Sequence, residues 1–309
     1  MNSRHAPFII SLLCALLLGG ALPAERVFAQ ETNARRARVA VLDFGETQAA
    51  QRVAERLTAM LSTAKDFQMV DRDASRAAAR GAGYAGSLNM TLQEARDLGA
   101  AIGCDFFITG DAQALRRSPS TGSIYYEAYA SIFAVSARTG NLLRWERPSF
   151  EASTPAEALK ALLLEVDKGA LSARYLSTLR AAFEEERQQH KTLSNEEATP
   201  IAEVPEEGSP EAAGLRLPMP YRRLRPVYPE TAARAEAEAS VDVTLDLDTS
   251  GEVTRVRVVR WAGFGLDEAT VNTVRQLHFR PAMRDGVPLP LRILLRYNFR
   301  RPKRDEAKN

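Results

Sequence analysis

Histidine and cysteine are scarce in this chain, with three and two copies among 309 residues. That scarcity leaves few places for a nucleophile–base pair or a metal-ligand cluster. His5 lies in an apolar leader and His190 at the polar end of a helical stretch, so only His278, in "VRQLHFRPAMRDG", sits in a suggestive setting. Cys14 is lost if the leader is cleaved, and Cys104 then has no partner for an internal disulfide. Cys104 enters the apolar strand "AIGCDFFITG", where a small buried thiol is the ordinary reading and no motif ties a histidine to it. An excess of one charge sign is lacking too: the formal net charge is only +2, which makes no demand for a nucleic-acid partner. The phosphate-loop pattern GxxxxGK[ST] is absent. "GAGYAG" matches GxGxxG at Gly81, Gly83 and Gly86, yet an Ala/Arg helical run precedes it where a dinucleotide site requires a strand. It reads as a loop between helices.

Long apolar runs are confined to the start, "APFIISLLCALLLGGALPA", preceded by Arg4 and His5. Two signal-peptidase sites follow, "LPA" before Glu25 and "VFA" before Gln30, each ending in a small residue. Residues 1–29 are therefore an export signal, or an uncleaved inner-membrane anchor at the short limit of what spans a bilayer. Both readings stay open, and both export the chain across the inner membrane.

Residues 36–190 alternate strand and helix signals. "RVAVLDF" is a continuous apolar run, as expected of a strand buried on both faces. Val53, Leu57, Met60 and Leu61 share one face of the helix that follows. "FQMVDR" and "CDFFITGDAQAL" read as strands, with a capping box at Thr91 and Glu94 between them. "SIYYEAYASIFAVSA" and "LLRWERPSFEA" flank the turn "RTGN" as a hairpin, and "TPAE" starts a closing helix towards Gln189, with a bend expected at Gly169. An α/β domain with a mixed sheet results. Asp43, Asp71, Asp105 and Asp111 fall at strand ends, where carboxylates serve as turn formers and caps more often than as metal ligands. Tyr125, Tyr126 and Tyr129 read as hairpin packing.

Residues 191–221 form the expected linker. Residues 192–214 hold six glutamates and no basic residue, with interspersed prolines, which reads as a disordered, self-repelling tether. Residues 222–302 then form a second domain, before a charged tail at 303–309. "ASVDVTLDLD" alternates with period two, placing Val241, Val243, Leu245 and Leu247 on one face and Asp242, Thr244, Asp246 and Asp248 on the other. A turn at Gly251 returns "EVTRVRVVRW" antiparallel, "LDEATVNTVRQL" is an amphipathic helix, and "LPLRILLRYNFR" is the last strand. The product is ββαβ, an antiparallel sheet with one face on a helix. The chain as a whole is a two-domain protein, α/β followed by α+β.

The order "VAVLDF", helix, "QMVDR", helix, "CDFFITGDAQ" and long hairpin resembles the envelope modules of the TolB amino-terminal and CsgG type, which implies assembly and binding rather than chemistry. Residues 222–302 resemble the TonB carboxy-terminal domain. Tyr228-Pro229 with Ala232, the alternating strand, and Gly251-Glu252-Val253 match that family. So do Leu266-Asp267 with Ala269, Phe279 with Pro281-Ala282, Gly286 with Pro288, and the closing Phe299. Glu236 and Ala239 depart from it where glycines are usual, and Leu277 replaces a frequent tryptophan. The resemblance implies that an edge strand accepts an extended peptide from an outer-membrane transporter or other envelope protein. Inner-membrane proton-driven motor proteins and homodimer formation are further implied options. The strand of Leu291–Phe299 is the expected edge, with Arg292, Leu294, Arg296 and Asn298 as partner-binding residues and the arginines either offered to an acidic peptide or simply a solvated face. An exported adaptor without energy transduction is the alternative. No catalytic residue, cofactor or metal is expected, and His278 is expected to end the helix before it by meeting the last carbonyls.

Overall fold

The computed structural model describes residues 35–119, 122–168, 170–192, 201–206 and 208–301, without the side chains of 190–192. The export segment, Cys14, Gly169 and the charged tail lie outside the described residues. Everything below concerns the unit Arg36–Asn309. In chain order its first part contains β1 (Ala37–Val41), α1 (Gln48–Ser62), β2 (Phe67–Met69), α2 (Arg72–Gly81), β3 (Met90–Thr91) and α3 (Leu92–Ile102). Then come β4 (Phe106–Arg117), β5 (Tyr125–Ser136), β6 (Leu142–Glu146), β7 (Ser149–Ala152), α4 (Pro155–Lys168) and α5 (Ala170–Thr192).

The sheet runs β2-β1-β4-β5-β6, with β7 also paired to β5. β1 is parallel to both β2 and β4, and the remaining pairs are antiparallel, so the expected mixed sheet is present. Both faces of β1 are covered, which is why its sequence is a near-continuous apolar run. Val39 and Val41 face one core with Leu57, Leu61, Leu162 and Val166 of α1 and α4; Ala40 faces a second with Leu98 and Ile102 of α3. Val53, Leu57 and Leu61 are fully buried along one stripe of α1, each stabilising by about 1.5–3 kcal/mol relative to exposure. The capping box of α3 forms as expected, with Thr91 accepting from the Glu94 amide and Glu94 reaching back. Gly110 in β4 has no substitute, since a Cβ there would lie 2.0 Å from the Ser131 carbonyl oxygen.

The second part contains β8 (Ala202–Glu203), β9 (Leu215–Arg216), β10 (Met219–Pro220), α6 (Glu230–Ala235), β11 (Ala239–Leu247) and β12 (Val253–Trp261). It closes with α7 (Leu266–Val274), β13 (Phe279–Arg280), β14 (Ala282–Arg284), β15 (Val287–Leu289) and β16 (Leu291–Phe299). β11 is central, antiparallel to β12 and β16, and its Val241, Val243, Leu245 and Leu247 pack on Leu266, Val274 and Leu277. This is the expected ββαβ core. Residues 201–221, read from sequence as a disordered tether, instead carry three short strands that pair with this domain: β8 with β16, β9 with β14 and β10 with β13. Their pairing satisfies backbone groups on hairpin edges, a gain that composition alone does not register.

Nor does the tether keep the two parts separate, because they share a core. β3 of the first part adds antiparallel to β12, with Thr91 opposite Arg260 and Met90 opposite Trp261. Asn89 extends that contact through its side chain. Its Nδ2 donates to the carbonyls of Ser240 at 2.8 Å and Trp261 at 2.7 Å, and its Oδ1 accepts from the Ser240 amide. The Trp261 ring is buried on Phe133, with centroids 6.0 Å apart, and its Nε1 donates to the Gly140 carbonyl at 2.9 Å. The following residues, Gly263, Phe264 and Gly265, all take positive φ, which is costly at Phe264 (φ 54°). That turn aims the Phe264 ring at Phe133 and Trp145. Among the described residues no helix is long and apolar enough to cross a membrane.

Trp261→Ala removes this wedge and its indole hydrogen bond. It is expected to cost about 3–5 kcal/mol and to split the unfolding curve in urea into two transitions, one for each part. A single transition at the wild-type midpoint would show that Trp261 does not join them.

Candidate functional site

The C-terminal sheet has one polar face, built by the alternation of β11. Asp242 and Asp246 are buried on it although they are carboxylates. Each lies opposite an arginine on both sides: Asp242 between Arg260 and Arg296, Asp246 between Arg255 and Arg292. Arg296 grips Asp242 with Nε and Nη2 at 2.7 and 2.8 Å, and Arg292 grips Asp246 at 2.6 and 2.9 Å. Two-pronged guanidinium bonds of this kind offset the cost of burying a carboxylate. They also hold both aspartates below the ordinary carboxylate range, chiefly through those hydrogen bonds and against the opposing effect of burial.

Of the four residues expected to bind a partner, two are therefore already engaged. Arg292 and Arg296 are counter-ions of their own sheet, not free charges, because the sequence pattern shows alternation but not the cross-strand register. Asn298 accepts from the Ser240 hydroxyl at 2.6 Å, whereas Leu294 is 57% exposed and has no such tie. Beyond Arg292, β16 has no neighbour on its outer side among the described residues, so its main chain there is an open edge. A groove of about 690 Å³ lies beside that edge, with Tyr228, Leu295, Tyr297 and Phe299 among its walls and Arg222, Arg223, Arg225 and Arg300 around it. No carboxylate pairs with these four arginines among the described residues. Sequence reading passed over them, although "RRLR" just ahead of Tyr228-Pro229 was the signal.

The other candidates resolve as structure. Cys104 is half-buried, and burial, with the neighbouring Asp105 charge, pushes its thiol up to about 12, away from the thiolate that nucleophilic chemistry needs. Asp71 caps α2, Asp105 accepts from the Arg38 amide, and Asp43 is clamped by Arg76 and Arg72. Among the described residues no three metal-ligating side chains gather. Tyr126 packs on the first core, and Tyr129 lies under the Arg147 guanidinium. Gly81, Gly83 and Gly86 sit at the end of α2 and in the loop after it, as expected of a connection between helices. His278 departs from expectation: its Nδ1 meets the exposed Glu252 carboxylate at 2.9 Å, and α7 ends at Val274 without it. Glu236, at a position where the related family favours glycine, takes a left-handed φ of 52° to cap α6, and its carboxylate pairs with Arg301. That is the conformation glycine adopts without strain.

The geometry defines a protein-interaction module: a small sheet with one edge strand open beside a basic, aromatic groove. Residues 225–300 match the family described as Gram-negative bacterial TonB protein C-terminal, and the module they form is a TonB C-terminal domain. Among solved structures, the chain is similar to the Pseudomonas aeruginosa TonB C-terminal domain, at 22% identity over 31% of this chain and 96% of that one, TM-score 0.24. It is also similar to hypothetical protein CT253 of Chlamydia trachomatis, at 12% identity over 42% and 93%, TM-score 0.31. Escherichia coli LpoB matches at 14% identity over 50% and 88%, TM-score 0.28. Comparison with curated proteins gives no match.

The Asp–Arg ladder carries a pH signature. Stability from carboxylates with depressed folded pKa is present above the unfolded value of about 3.9 and is lost as pH falls through the folded values. Acid unfolding should therefore set in below about pH 4 and soften in Asp242→Asn. The pair Arg292→Glu with Arg296→Glu should cost about 1–3 kcal/mol per stranded carboxylate in urea unfolding at pH 7. Unchanged stability of that double variant would show that the ladder does not hold the sheet.

Proposed function

We propose that this is a TonB-family cell-envelope protein that binds an outer-membrane transporter, or another envelope protein, by strand addition along β16, in energy-dependent transmembrane transport. The observation that carries the reading is the outer side of β16 past Arg292, unpaired among the described residues, within a TonB C-terminal domain. An open edge bonds a partner's main chain largely irrespective of side chains, and the adjacent groove supplies the selectivity. Arg222, Arg223, Arg225 and Arg300 favour an acidic segment, and Tyr228 and Tyr297 favour one with an apolar or aromatic residue. The protein works in this reading by binding, with no chemistry of its own. The raised Cys104 thiol and the structural duties of the aspartates support it. Residues 36–190 serve as an assembly module of the TolB and CsgG type, fixed to the binding domain.

A second reading is favoured by the wedge of Trp261. A domain fixed on its neighbour suits an exported adaptor that joins two envelope partners without transmitting force. The N-terminus decides between the two. A mature protein beginning at Glu25 or Gln30 would sink the anchored transducer, while a retained residue 1 in the inner-membrane fraction would sink the free adaptor.

The edge itself is tested by photo-cross-linking in intact cells. A photoreactive amino acid at Leu294 or Asn298 should capture an envelope protein, and one at Ile124, exposed on the first part, should not capture the same species. Loss of the cross-link on collapsing the proton gradient supports the transducer. Capture from Ile124 but from neither edge position would refute strand addition at β16.

A further inference from the structure

One strand already lies on the outer side of β16. It is β8, two residues long, running parallel, with Ala202 opposite Leu291 and Glu203 opposite Arg292. It comes from the acidic stretch between the two parts of the chain, and three features make its position informative. The first is charge. The polar face beside it carries Arg255, Arg257, Arg260, Arg292 and Arg296 around only Asp242 and Asp246, an excess of positive charge. Glu94 answers Arg260, but Arg255 and Arg257 have no ion pair among the described residues. Glu203 enters this face with its carboxylate 3.6 Å from Arg292.

The second feature is length. Pairing stops after Glu203, and Pro205 follows two residues on. Proline has no amide proton to donate, so residue 205 can offer the edge no main-chain donor. Main-chain bonds of the outer side are taken at the head of β16 and, among the described residues, left open at residues 293–299. The third is attachment. β9 and β10, further along the same stretch, pair with β14 and β13, which keeps the acidic segment close to the edge it covers. Such tethering gives a weak local strand an effective concentration on the order of millimolar.

We propose that residues 201–206 are an intramolecular placeholder for the partner segment: a short acidic strand that occupies the head of the β16 edge and is displaced by an extended acidic segment of the partner. The inference rests on the reading of β16 as the binding edge for an acidic segment and adds to it the segment's parallel direction and a built-in competitor. Pro205 keeps the placeholder short enough to be displaced. Weakening the placeholder should therefore expose the edge, and lengthening it should close the edge.

The test uses the full chain and a fluorescein-labelled peptide spanning residues 199–207 with Pro205→Ala, read by fluorescence anisotropy at low salt. A chain with residues 201–206 replaced by Gly and Ser should bind the peptide at least about tenfold more tightly than wild type. Glu203→Arg in the chain should move affinity the same way by a smaller factor. Pro205→Ala in the chain should weaken binding at least about threefold. A peptide with lysine substituted at both Glu203 and Glu206 should not bind. Equal affinities across these chains, or no binding to the Gly/Ser chain with its urea unfolding unchanged, would overturn the placeholder. The Leu294 cross-link does not depend on β8, so its persistence would leave the edge reading standing while the placeholder fails.

Discussion

A β-sheet cannot end without leaving a row of amides and carbonyls unpaired, and that constraint organises the C-terminal half of this protein. Three strands, β12, β11 and β16, hold the hydrophobic face against α7. They leave two edges. One is closed: β3 joins β12, and Asn89 continues the line of bonds to Ser240 and Trp261. The other is covered for two residues by β8 and, among the described residues, then left open. A sheet with one sealed edge and one exposed edge has a defined side from which a partner's strand can add. The seal also explains why the domain is fixed to the first part instead of swinging on a tether.

The polar face of the same sheet obeys a second constraint. Burying Asp242 and Asp246 is tolerable only with a guanidinium against each, and the register of β11 with β16 brings Arg296 and Arg292 to those places. Charge that looked available for a ligand is thereby consumed in holding the strand pairing. Arginines with no such duty stand at 222, 223, 225 and 300, beside the aromatic groove. The two roles of arginine, internal counter-ion and external contact, are indistinguishable by residue type and differ only in what lies opposite.

Much of the architecture was legible beforehand. The apolar run at β1, the stripe of α1, the capping box at Thr91 and the alternation of β11 each carry a local period or a local hydrogen bond, and each formed where expected. The TonB-like module was legible because its spacing of turns and apolar positions runs unbroken for about seventy residues. Residues 201–221 were not, because two-residue strands leave no period to detect and prolines argue against them. His278 was misplaced for a related reason: its partner, Glu252, is 26 residues away and meets it only through the turn at Gly251.

The sequence by itself determined the classes of element and the identity of the interaction domain, since both follow from periodicity and spacing along the chain. Tertiary structure alone decided which arginines are neutralised, which edge is sealed and which is open. Those outcomes depend on pairs such as Asn89 with Trp261, Asp242 with Arg296 and Glu203 with Arg292, brought together across 172, 54 and 89 positions, respectively. No local pattern encodes such pairs, because the energy that selects them appears only when the faces meet.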